Sequence, residues 1–355
     1  MKVVFDLSVT SASQAVATTS SPWDSAWQSP LTATSPALVL DFLADTYGAG
    51  GNAGPLASVL SLSRASSATR IDAAGALNTV GPNVARITHD QATLSPLGIL
   101  LEPASTNLAV HSNLATDQTI SVAAVPHVLS FFGTGVVTLS GVHTETISAN
   151  NRAMSRKAVT FTPAAGDLDL VISGDVTSLQ IEEGTLPSSY IPSGAGPGSR
   201  SEDIAGTSLG TWFNPTEGTI VFSGSLENAS ANDRIIEIDS GATSTRLSVL
   251  WNTVLGKPQF QVWDQSALQA AIAPPGAAIG LGDHFRFAVG FAEGNFAISL
   301  NGSPVATDGS GTMPSGLTTL RIGRSIWGAQ AQMIAEGLTY YPARLTDAEL
   351  QALSA

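Results

Sequence analysis

Short apolar stretches with a two-residue period, each closed by turn residues, recur through most of this chain. The clearest is AVTFTPAAGDLDLVISG, residues 158–174, in which Val159 and Phe161 and later Leu168 and Leu170 alternate with other residues. This alternation is typical of a β-strand with one buried face. Because the chain has no cysteine, packing or oligomerisation must stabilise such strands in place of disulfides. The sequence therefore predicts an all-β protein built from antiparallel sheets.

Turn-rich and apolar segments divide the 355 residues into successive parts. The stretch SGAGPGSRSEDIAGTSLG is expected to contain the main linker, because its Gly and Ser content is typical of flexible connections. The strand spacing after it predicts an antiparallel β-sandwich, and the two-residue period before it predicts a further β unit. The expected parts are an irregular N-terminal attachment region (1–60), a connector of very short strands (61–110), the small sandwich (111–194), the linker (195–210) and the large sandwich (211–355).

Charge and hydrophobicity argue against nucleic-acid and membrane partners. The formal net charge is −13, and charged residues make up only 12% of the chain, so its surface repels phosphate and anionic lipid. The N-terminus MKVVFDLSVTSASQ has three consecutive apolar residues before Asp6, whereas a secretory signal peptide needs roughly 7–15. No stretch approaches the ~20 apolar residues of a membrane span. We therefore expect no membrane insertion and no export by a cleaved signal.

Two neighbouring stretches, RASSATRIDAAGALNTVGPNVARITHD and GILLEPASTNL, resemble a module in tail, fibre and spike proteins of tailed bacteriophages and phage-like gene transfer agents. The residues that carry this likeness are Arg64, Ser66, Ala68, Thr69, Gly75, Asn83, Arg86, Gly98, Glu102, Thr106, Asn107 and Leu108. LSFFGTGVVTLSG, FTPAAGDLDLVISG and QIEEGTLPSSYIPS resemble the small carbohydrate-binding-type sandwich that often follows that module, so the resemblance implies tandem antiparallel β-sandwiches, of which the smaller is jelly-roll-like. FAISLNG, LRIG and YYPARLTDAELQALSA resemble the concanavalin A-like (laminin G-like) lectin sandwich.

The resemblance implies a non-enzymatic receptor-binding subunit, a head spike or tail fibre that adheres to host capsular or cell-wall polysaccharide. It also implies a homo-oligomer, a trimer or higher, that joins other virion proteins through its N-terminal region. Assembly in the bacterial cytoplasm and release by lysis would place such a subunit on the particle surface without a signal peptide. Two alternatives stay open: a capsule-polysaccharide depolymerase on the same scaffold, and a purely structural decoration or connector protein of the virion.

Glu102, at the end of the apolar run LGILLE, has three interpretations. As a general acid it would need a second carboxylate in a cleft, and as a metal ligand it would need oxygen neighbours such as Asp90. As a structural residue it would accept backbone N–H groups or pair with Arg64 or Arg86, because a buried charge must be paired. We expect the structural role for Glu102, and likewise for Arg64, Arg86 and Asn107.

Sugar-binding sites combine an aromatic platform with side chains that donate and accept hydrogen bonds. In QFQVWD, Trp263 alternates with Phe260 and Val262, so it faces outward if those two residues are in the core. Trp327, in RSIWGAQ, follows a strand and is expected in a loop. The competing interpretation is core packing or a subunit interface. The expected glycan-binding residues are Trp263, Trp327, Asp264, Gln261 and Asn252.

Catalytic and metal-binding patterns are incomplete. Glucanases of the sandwich class that the chain resembles carry two Glu flanking an Asp on one strand, whereas EIDSGAT offers Glu237 and Asp239 without a second Glu. A solvated strand face explains both residues, so we expect no catalytic residue. Lectin-type sandwiches often hold calcium, and the oxygen ligands eligible for it here are Asp239, Asp264, Asn301 and Asp308. No EF-hand-like spacing is present, so we expect no metal and no cofactor.

Overall fold

The computed structural model describes residues 34–149 and 156–355, and antiparallel strands dominate it. Residues 1–33, about half of the expected attachment region, lie outside the described ranges. In chain order, the first elements are β1 (Leu38–Asp41), β2 (Thr46–Ala49), β3 (Asn52–Ala53), α1 (Leu56–Val59), β4 (Ser61–Ser63), β5 (Ala68–Ile71), β6 (Leu77–Val80), β7 (Ile87–His89), β8 (Pro96–Leu101) and β9 (Ser105–Asn107).

The middle of the chain contributes β10 (Gln118–Val122), β11 (His127–Gly133), β12 (Val136–Gly141), β13 (Glu145–Ser148), β14 (Lys157–Phe161), β15 (Gly166–Ser173), β16 (Val176–Glu183), β17 (Gly198–Arg200) and β18 (Ile204–Ser208). The last elements are β19 (Glu217–Asn228), β20 (Arg234–Asp239), β21 (Arg246–Asn252), β22 (Lys257–Asp264), β23 (Ala267–Ile272), β24 (His284–Ala292), β25 (Phe296–Leu300), β26 (Ala306–Asp308), β27 (Thr319–Ile322), β28 (Gln332–Tyr341) and α2 (Asp347–Leu353). The all-β prediction is confirmed.

The small sandwich consists of one sheet with the order β10-β15-β12-β13 and one with the order β14-β11-β16. Their inward-facing side chains form a separate core. Leu168 and Leu170, from the alternating stretch 158–174, are both buried in it. The two-residue period therefore marks a strand with one buried face, because the side chains on the other face of β15 are more exposed.

The large sandwich also consists of two sheets. Sheet 1 has the order β26-β25-β24-β19-β28-β1-β2-β3, and β8 pairs with β28 and with β7. Sheet 2 has the order β23-β22-β21-β20-β27-β18-β4. The shared core includes Phe222, Phe287 and Ile298 from sheet 1 and Val249 and Phe260 from sheet 2. The side of sheet 2 that faces away from this core carries the polar and aromatic side chains described below.

Strands from the first hundred residues belong to this large sandwich. β1 and β8 pair with β28, and β4 pairs with β18. Leu38, Leu40 and Phe42 lie in the large core, because β1 lies beside the central strand of sheet 1. Paired strands therefore connect parts of the chain that the sequence separates at residues 60, 110 and 210.

The segment 195–210, expected to be a linker from its composition, contains β17 paired with β9 and β18 paired with β27. Arg200 and Asp203 within it are buried. At Gly198, a Cβ atom would lie 2.2 Å from the carbonyl oxygen of Pro192, so only glycine permits this close backbone approach. Its small residues thus serve tight packing, which composition alone does not distinguish from flexibility.

The small sandwich is an insertion into the large one. The chain leaves the large sandwich after β8 and returns to it at β18. The two ends of the insertion meet, because the backbone N–H of Asp203 donates to the carbonyl oxygen of Glu102 at 2.9 Å. Whatever holds Glu102 and Asp203 together therefore also holds the two sandwiches together.

Helix α2 covers the side of sheet 1 that faces away from the core. It begins with a capping box, in which the Thr346 hydroxyl accepts the backbone N–H of Glu349 and the Glu349 carboxylate accepts that of Thr346. Leu350 and Leu353 are buried against this side of the sheet. Neither helix in the described ranges has the length and apolar character needed to cross a membrane.

Candidate functional site

Trp263 and Trp327 are brought together on the outer side of sheet 2. Trp263 lies on β22 directly opposite Arg246 on β21. Trp327 lies on the loop between β27 and β28 and is 45% exposed. The Cζ atom of Arg246 is 4.9 Å from the ring centroid of each tryptophan. The fold thus joins the two aromatic residues through one guanidinium group.

A second arginine contacts the ring of Trp327. The Cζ atom of Arg234 on β20 is 4.7 Å from the ring centroid of Trp327, within the roughly 6 Å over which a cation is attracted to an aromatic face. We call Arg234, Glu237, Arg246, Trp263 and Trp327 the arginine–tryptophan cluster. Sequence reasoning found its tryptophans and missed the roles of its arginines and its carboxylate.

Glu237 is the centre of this cluster. Its Oε2 atom lies 3.1 Å from Nε of Arg234 and 3.8 Å from Nε of Arg246. Its Oε1 atom accepts the backbone N–H of Ile326 at 2.7 Å. Since Ile326 precedes Trp327, the Glu237 carboxylate fixes both the arginines and the loop that carries the exposed indole ring.

Burial dominates the electrostatics of the cluster. Burial raises the pKa of Glu237, although the Ile326 N–H and the charge of Arg234 act in the opposite direction. Burial lowers the pKa of Arg234, which the Glu237 charge opposes. Burial and then the positive charge of Arg234 lower the pKa of Arg246. Two guanidinium groups therefore share one carboxylate and repel each other.

A row of amides extends from the cluster along β22. The indole Nε1 of Trp263 donates to Oε1 of Gln261 at 3.0 Å. Nε2 of Gln261 donates to Oε1 of Gln259 at 3.2 Å, and this oxygen also accepts Nδ2 of Asn252 at 3.2 Å. We call Asn252, Gln259, Gln261 and Trp263 the polar strip. It orients half-buried amide groups beside the exposed tryptophans.

Two of the five expected glycan-binding residues are placed differently from the tryptophans. Asp264 shares the strand parity of Phe260 and Val262, which are in the core, so it points to the opposite side of the sheet from Trp263. The fold therefore does not bring Asp264 together with Trp263, and a contact of Asp264 with glycan stays a prediction. Asn252 pairs across from Lys257, six positions and thus about 20 Å from Trp263 along the strand, and it reaches the cluster only through the polar strip.

Glu237 and Asp239 are not on a solvated strand face as the sequence suggested. Both have 0% exposure, because arginine and tryptophan side chains cover the outer side of the sheet there. Asp239 pairs with Arg321, with 2.6 Å between Oδ2 and Nε. The alternation with Ile236 and Ile238 correctly indicated the outward direction, but it could not reveal the residues that lie on top.

Three of the four calcium candidates already have partners within the protein. Asp239 forms an ion pair with Arg321. Asp308 accepts the N–H and hydroxyl of Ser310, and Asn301 accepts the backbone N–H of Arg286, so both have roles in turns. Within residues 34–149 and 156–355, no three acidic or histidine side chains come together in a way that could hold a metal ion.

A second group of charged residues lies where the insertion joins the large sandwich. Oε2 of Glu102 is 2.6 Å from Nη1 of Arg86 and 3.1 Å from Nη1 of Arg200. Asp203 pairs with Arg64, at 2.8 Å, and also with Arg86. We call Arg64, Arg86, Glu102, Arg200 and Asp203 the junction cluster. All five side chains are buried, so the charges are paired with each other and not with water.

The sequence offered Arg64 or Arg86 as the partner of Glu102. Arg86 is a partner, whereas Arg64 pairs with Asp203. Arg200 and Asp203 were missed, since Asp203 lies 101 residues from Glu102 in the chain and both were assigned to the linker. Their position after a Gly- and Ser-rich stretch gave no sign of burial.

Glu102 is held as a carboxylate. Its Oε1 and Oε2 atoms accept the N–H and the hydroxyl of Ser189 at 2.7 and 2.6 Å. Burial would raise the pKa of Glu102, but the charges of Arg200 and Arg86 and the bonds from Ser189 outweigh it and lower the pKa to about 2. A carboxyl group with this pKa carries no proton at neutral pH, so it cannot act there as a general acid.

The low pKa of Glu102 predicts a specific loss of stability in acid. Because the folded state binds this proton less readily than the unfolded state, the stabilisation is complete above pH 4.5 and is lost as the pH falls through about 2. The shift corresponds to about 3 kcal/mol. Urea unfolding between pH 2 and 5 should show this slope, and Glu102→Gln should remove it. The exposed Glu183→Gln should keep it.

Asn107 has every hydrogen-bonding position of its amide filled. Nδ2 donates to the carbonyl oxygens of Leu179 and Ile191, both at 2.9 Å. Oδ1 accepts the backbone N–H groups of Ile181 at 3.0 Å and of Ala109 at 3.1 Å. The side chain thus replaces a missing strand partner between β9 and β16, which is consistent with the structural role expected for it.

Gln330 connects the junction cluster to the loop that carries Trp327. Its Nε2 donates to the carbonyl oxygens of Glu102 at 3.1 Å and of Asp203 at 2.6 Å. Glu237 holds the same loop through Ile326. The exposed indole ring is therefore positioned from two sides by buried polar groups, which limits its motion.

The structure is similar to sandwich domains of solved carbohydrate-active proteins, at low identity. The carbohydrate-binding module CBM40 of the Ruminococcus gnavus IT-sialidase, solved with α2,3-sialyllactose, is 16% identical with a TM-score of 0.36, over 40% of this chain and 84% of that one. Domain 4 of AbnA, a GH43 arabinanase from Geobacillus stearothermophilus solved with arabinotriose, is 12% identical with a TM-score of 0.35, over 43% and 73%. The NanB sialidase of Streptococcus pneumoniae is 11% identical with a TM-score of 0.34, over 41% and 25%. No protein-family model and no curated protein matches the sequence.

Proposed function

We propose that the arginine–tryptophan cluster and the polar strip bind carbohydrate. The observation that carries the proposal is the position of Trp327, whose indole ring is 45% exposed beside Trp263 on the outer side of sheet 2. Sugar rings have apolar C–H faces surrounded by hydroxyl groups, so an exposed indole next to oriented amides matches both parts. Gln259 and Gln261 supply donors and acceptors within the strip.

The buried carboxylates support binding without hydrolysis. A retaining glycosidase needs two carboxyl groups about 5–5.5 Å apart that both reach the sugar. Glu237 is paired with Arg234, and Asp239 with Arg321, and both are covered. Neither is available to donate a proton to substrate or to attack it. The proposed role is therefore adhesion and not cleavage.

The sequence resemblance extends this proposal to a receptor-binding spike or fibre subunit of a phage or phage-like particle, released by lysis. Its target would be host capsular or cell-wall polysaccharide. Because β1 to β4 belong to the large sandwich, attachment to other virion proteins is proposed for residues 1–33. A homo-oligomer would present several weak sites at once, and this multivalency raises the overall affinity by orders of magnitude.

Trp327→Ala is expected to lower glycan affinity at least about tenfold, equivalent to ~1.4 kcal/mol. It should lower the free energy of unfolding by only about 1–2 kcal/mol, because the residue is 45% exposed and its loss removes the stacking with Arg234 and Arg246. The measurement is a glycan array followed by calorimetric titration of the best ligand. Leu114→Ala, which also removes an exposed apolar side chain but in the small sandwich, is the matched control.

Three outcomes would contradict this assignment. Equal affinity of wild type and Trp327→Ala would place the sugar site elsewhere. Release of reducing ends from host capsule would favour the depolymerase. No binding by either the isolated subunit or the intact particle, with normal adsorption of particles that lack the subunit, would favour a structural virion component.

A further inference from the structure

Positive charge exceeds its local compensation in the arginine–tryptophan cluster. Arg234 and Arg246 both face one carboxylate, that of Glu237, at 3.1 and 3.8 Å. Asp233 also attracts Arg234, so the uncompensated positive charge belongs to Arg246. Arg246 therefore has only a share of Glu237, and the neighbouring guanidinium repels it.

The nearby carboxylate on the same sheet side does not supply the missing charge. Both oxygens of Asp239 contact Arg321, at 2.6 Å from Nε and 3.5 Å from Nη2. Arg324, on the loop that carries Trp327, pairs with Glu202 at 3.0 Å. The acidic groups around the cluster thus already have cationic partners of their own.

The two arginines of the cluster keep donors that are not used. Nη1 of Arg246 donates to the carbonyl oxygen of Thr243, and Nη1 of Arg234 to that of Asn232. Within the part of the chain that the structure describes, Nη2 of each arginine has no hydrogen-bond partner. Stacking on Trp327 occupies the face of a guanidinium group, whereas its N–H edge is what pairs with carboxylates. Arg234 is 2% exposed and Arg246 is 8% exposed, so the edge of Arg246 is the more accessible of the two.

We propose that Arg246 binds the carboxylate of an acidic sugar whose ring stacks on Trp327, while the buried Arg234 adds positive charge beside it. This inference rests on the proposed function and names the class of glycan: a polysaccharide that carries carboxylates, such as one containing uronic or sialic acid units. The guanidinium edge matches a carboxylate in shape and charge. The polar strip then contacts hydroxyl groups of neighbouring units.

The net charge of −13 does not oppose such a ligand. Duplex DNA carries one charge per about 1.7 Å of its axis, so an acidic protein repels it strongly. A polysaccharide with one carboxylate in each repeating unit is far less densely charged. At 0.15 M salt the screening length is about 8 Å, so the ligand senses chiefly the arginines that it touches.

The test compares acidic polysaccharides with their own carboxyl-reduced forms, in which each carboxylate has become a primary alcohol. The probes are polygalacturonate, alginate, hyaluronan and polysialic acid, titrated at 0.15 M salt against the full chain by calorimetry and tryptophan fluorescence. We expect at least one acidic form to bind at least tenfold more tightly than its reduced form. Arg246→Gln should abolish the tenfold preference for the acidic form over its reduced form, so the measured quantity is the ratio of the two affinities in each variant.

Two variants separate the outcomes. Trp327→Ala should weaken both forms, and Arg321→Gln, which changes an arginine already engaged by Asp239, should leave the preference for the acidic form intact. Equal affinity for acidic and reduced forms, with both weakened by Trp327→Ala, would overturn the charge inference and keep the sugar site. No binding of any probe in either form would overturn the inference, and the glycan array then decides the sugar site separately. If Arg246→Gln does not fold, the comparison of acidic and reduced polysaccharides with the wild-type protein still tests the inference.

Discussion

Glu102→Gln is expected to lower the free energy of unfolding by about 3–5 kcal/mol at neutral pH, because it removes one partner of a buried ion-pair group. Arg86 and Arg200 would face a neutral amide at the position of Oε2, 2.6 and 3.1 Å away. Asp203 compensates only in part, since it is already paired with Arg64. Affinity for glycan per folded molecule should stay unchanged, because Gln330 binds the main chain of Glu102 and not its carboxylate.

Two probes make this experiment specific. Four of the six tryptophans, at 212, 251, 263 and 327, lie in the large sandwich, and no tryptophan occurs between residues 102 and 203. In a background that carries Trp23→Phe and Trp27→Phe, fluorescence therefore follows the large sandwich, and circular dichroism follows both sandwiches. We expect both probes to shift to lower urea concentration, since the junction cluster joins the two units. Glu183→Gln, which removes an exposed carboxylate of the small sandwich, should shift neither probe. Unchanged stability together with lost glycan binding would assign Glu102 to the binding chemistry.

The junction cluster contains one ion pair that the sequence predicted and two residues that it did not predict. The apolar run before Glu102 indicated a buried carboxylate, and burial requires a cationic partner, so Arg86 followed from elementary electrostatics. Arg200 and Asp203 did not follow, because the chain makes an excursion through the whole small sandwich before it returns. The choice of partner across such a distance depends on topology, which local periodicity does not contain.

The candidate site also combines positions that local sequence predicted with contacts that only the fold determines. Alternation in QFQVWD correctly placed Trp263 opposite Phe260 and Val262, and it should also have placed Asp264 on their side. The contact with Arg246 depends on the register between β21 and β22, and that of Arg234 depends on a bulge in β20. An outward-facing arginine in an apolar strand, such as the one before Leu247, was the available signal for a cation on this face.

Asn107→Ala is expected to destabilise the small sandwich by about 4 kcal/mol or more. The substitution leaves the carbonyl oxygens of Leu179 and Ile191 and the N–H groups of Ala109 and Ile181 without the partner that they have now. Each unsatisfied buried group costs roughly 1–3 kcal/mol, and water can relieve only part of this in a residue with 0% exposure.

The location of this effect distinguishes Asn107 from Glu102. The hydrogen bonds of the Asn107 side-chain amide connect β9 to β16 and to Ile191, which follows β16 in the chain. Asn107→Ala should therefore first increase hydrogen exchange in β16 and its neighbour β11. Exchange in β21 and β22 of the large sandwich should rise less, because the junction cluster stays intact. Asn78→Ala, at an exposed asparagine with one side-chain bond to Asp72, is the control. A uniform rise in exchange across both sandwiches would show that they unfold as one cooperative unit, and the stability of the insertion would then depend on the junction and not on its own core.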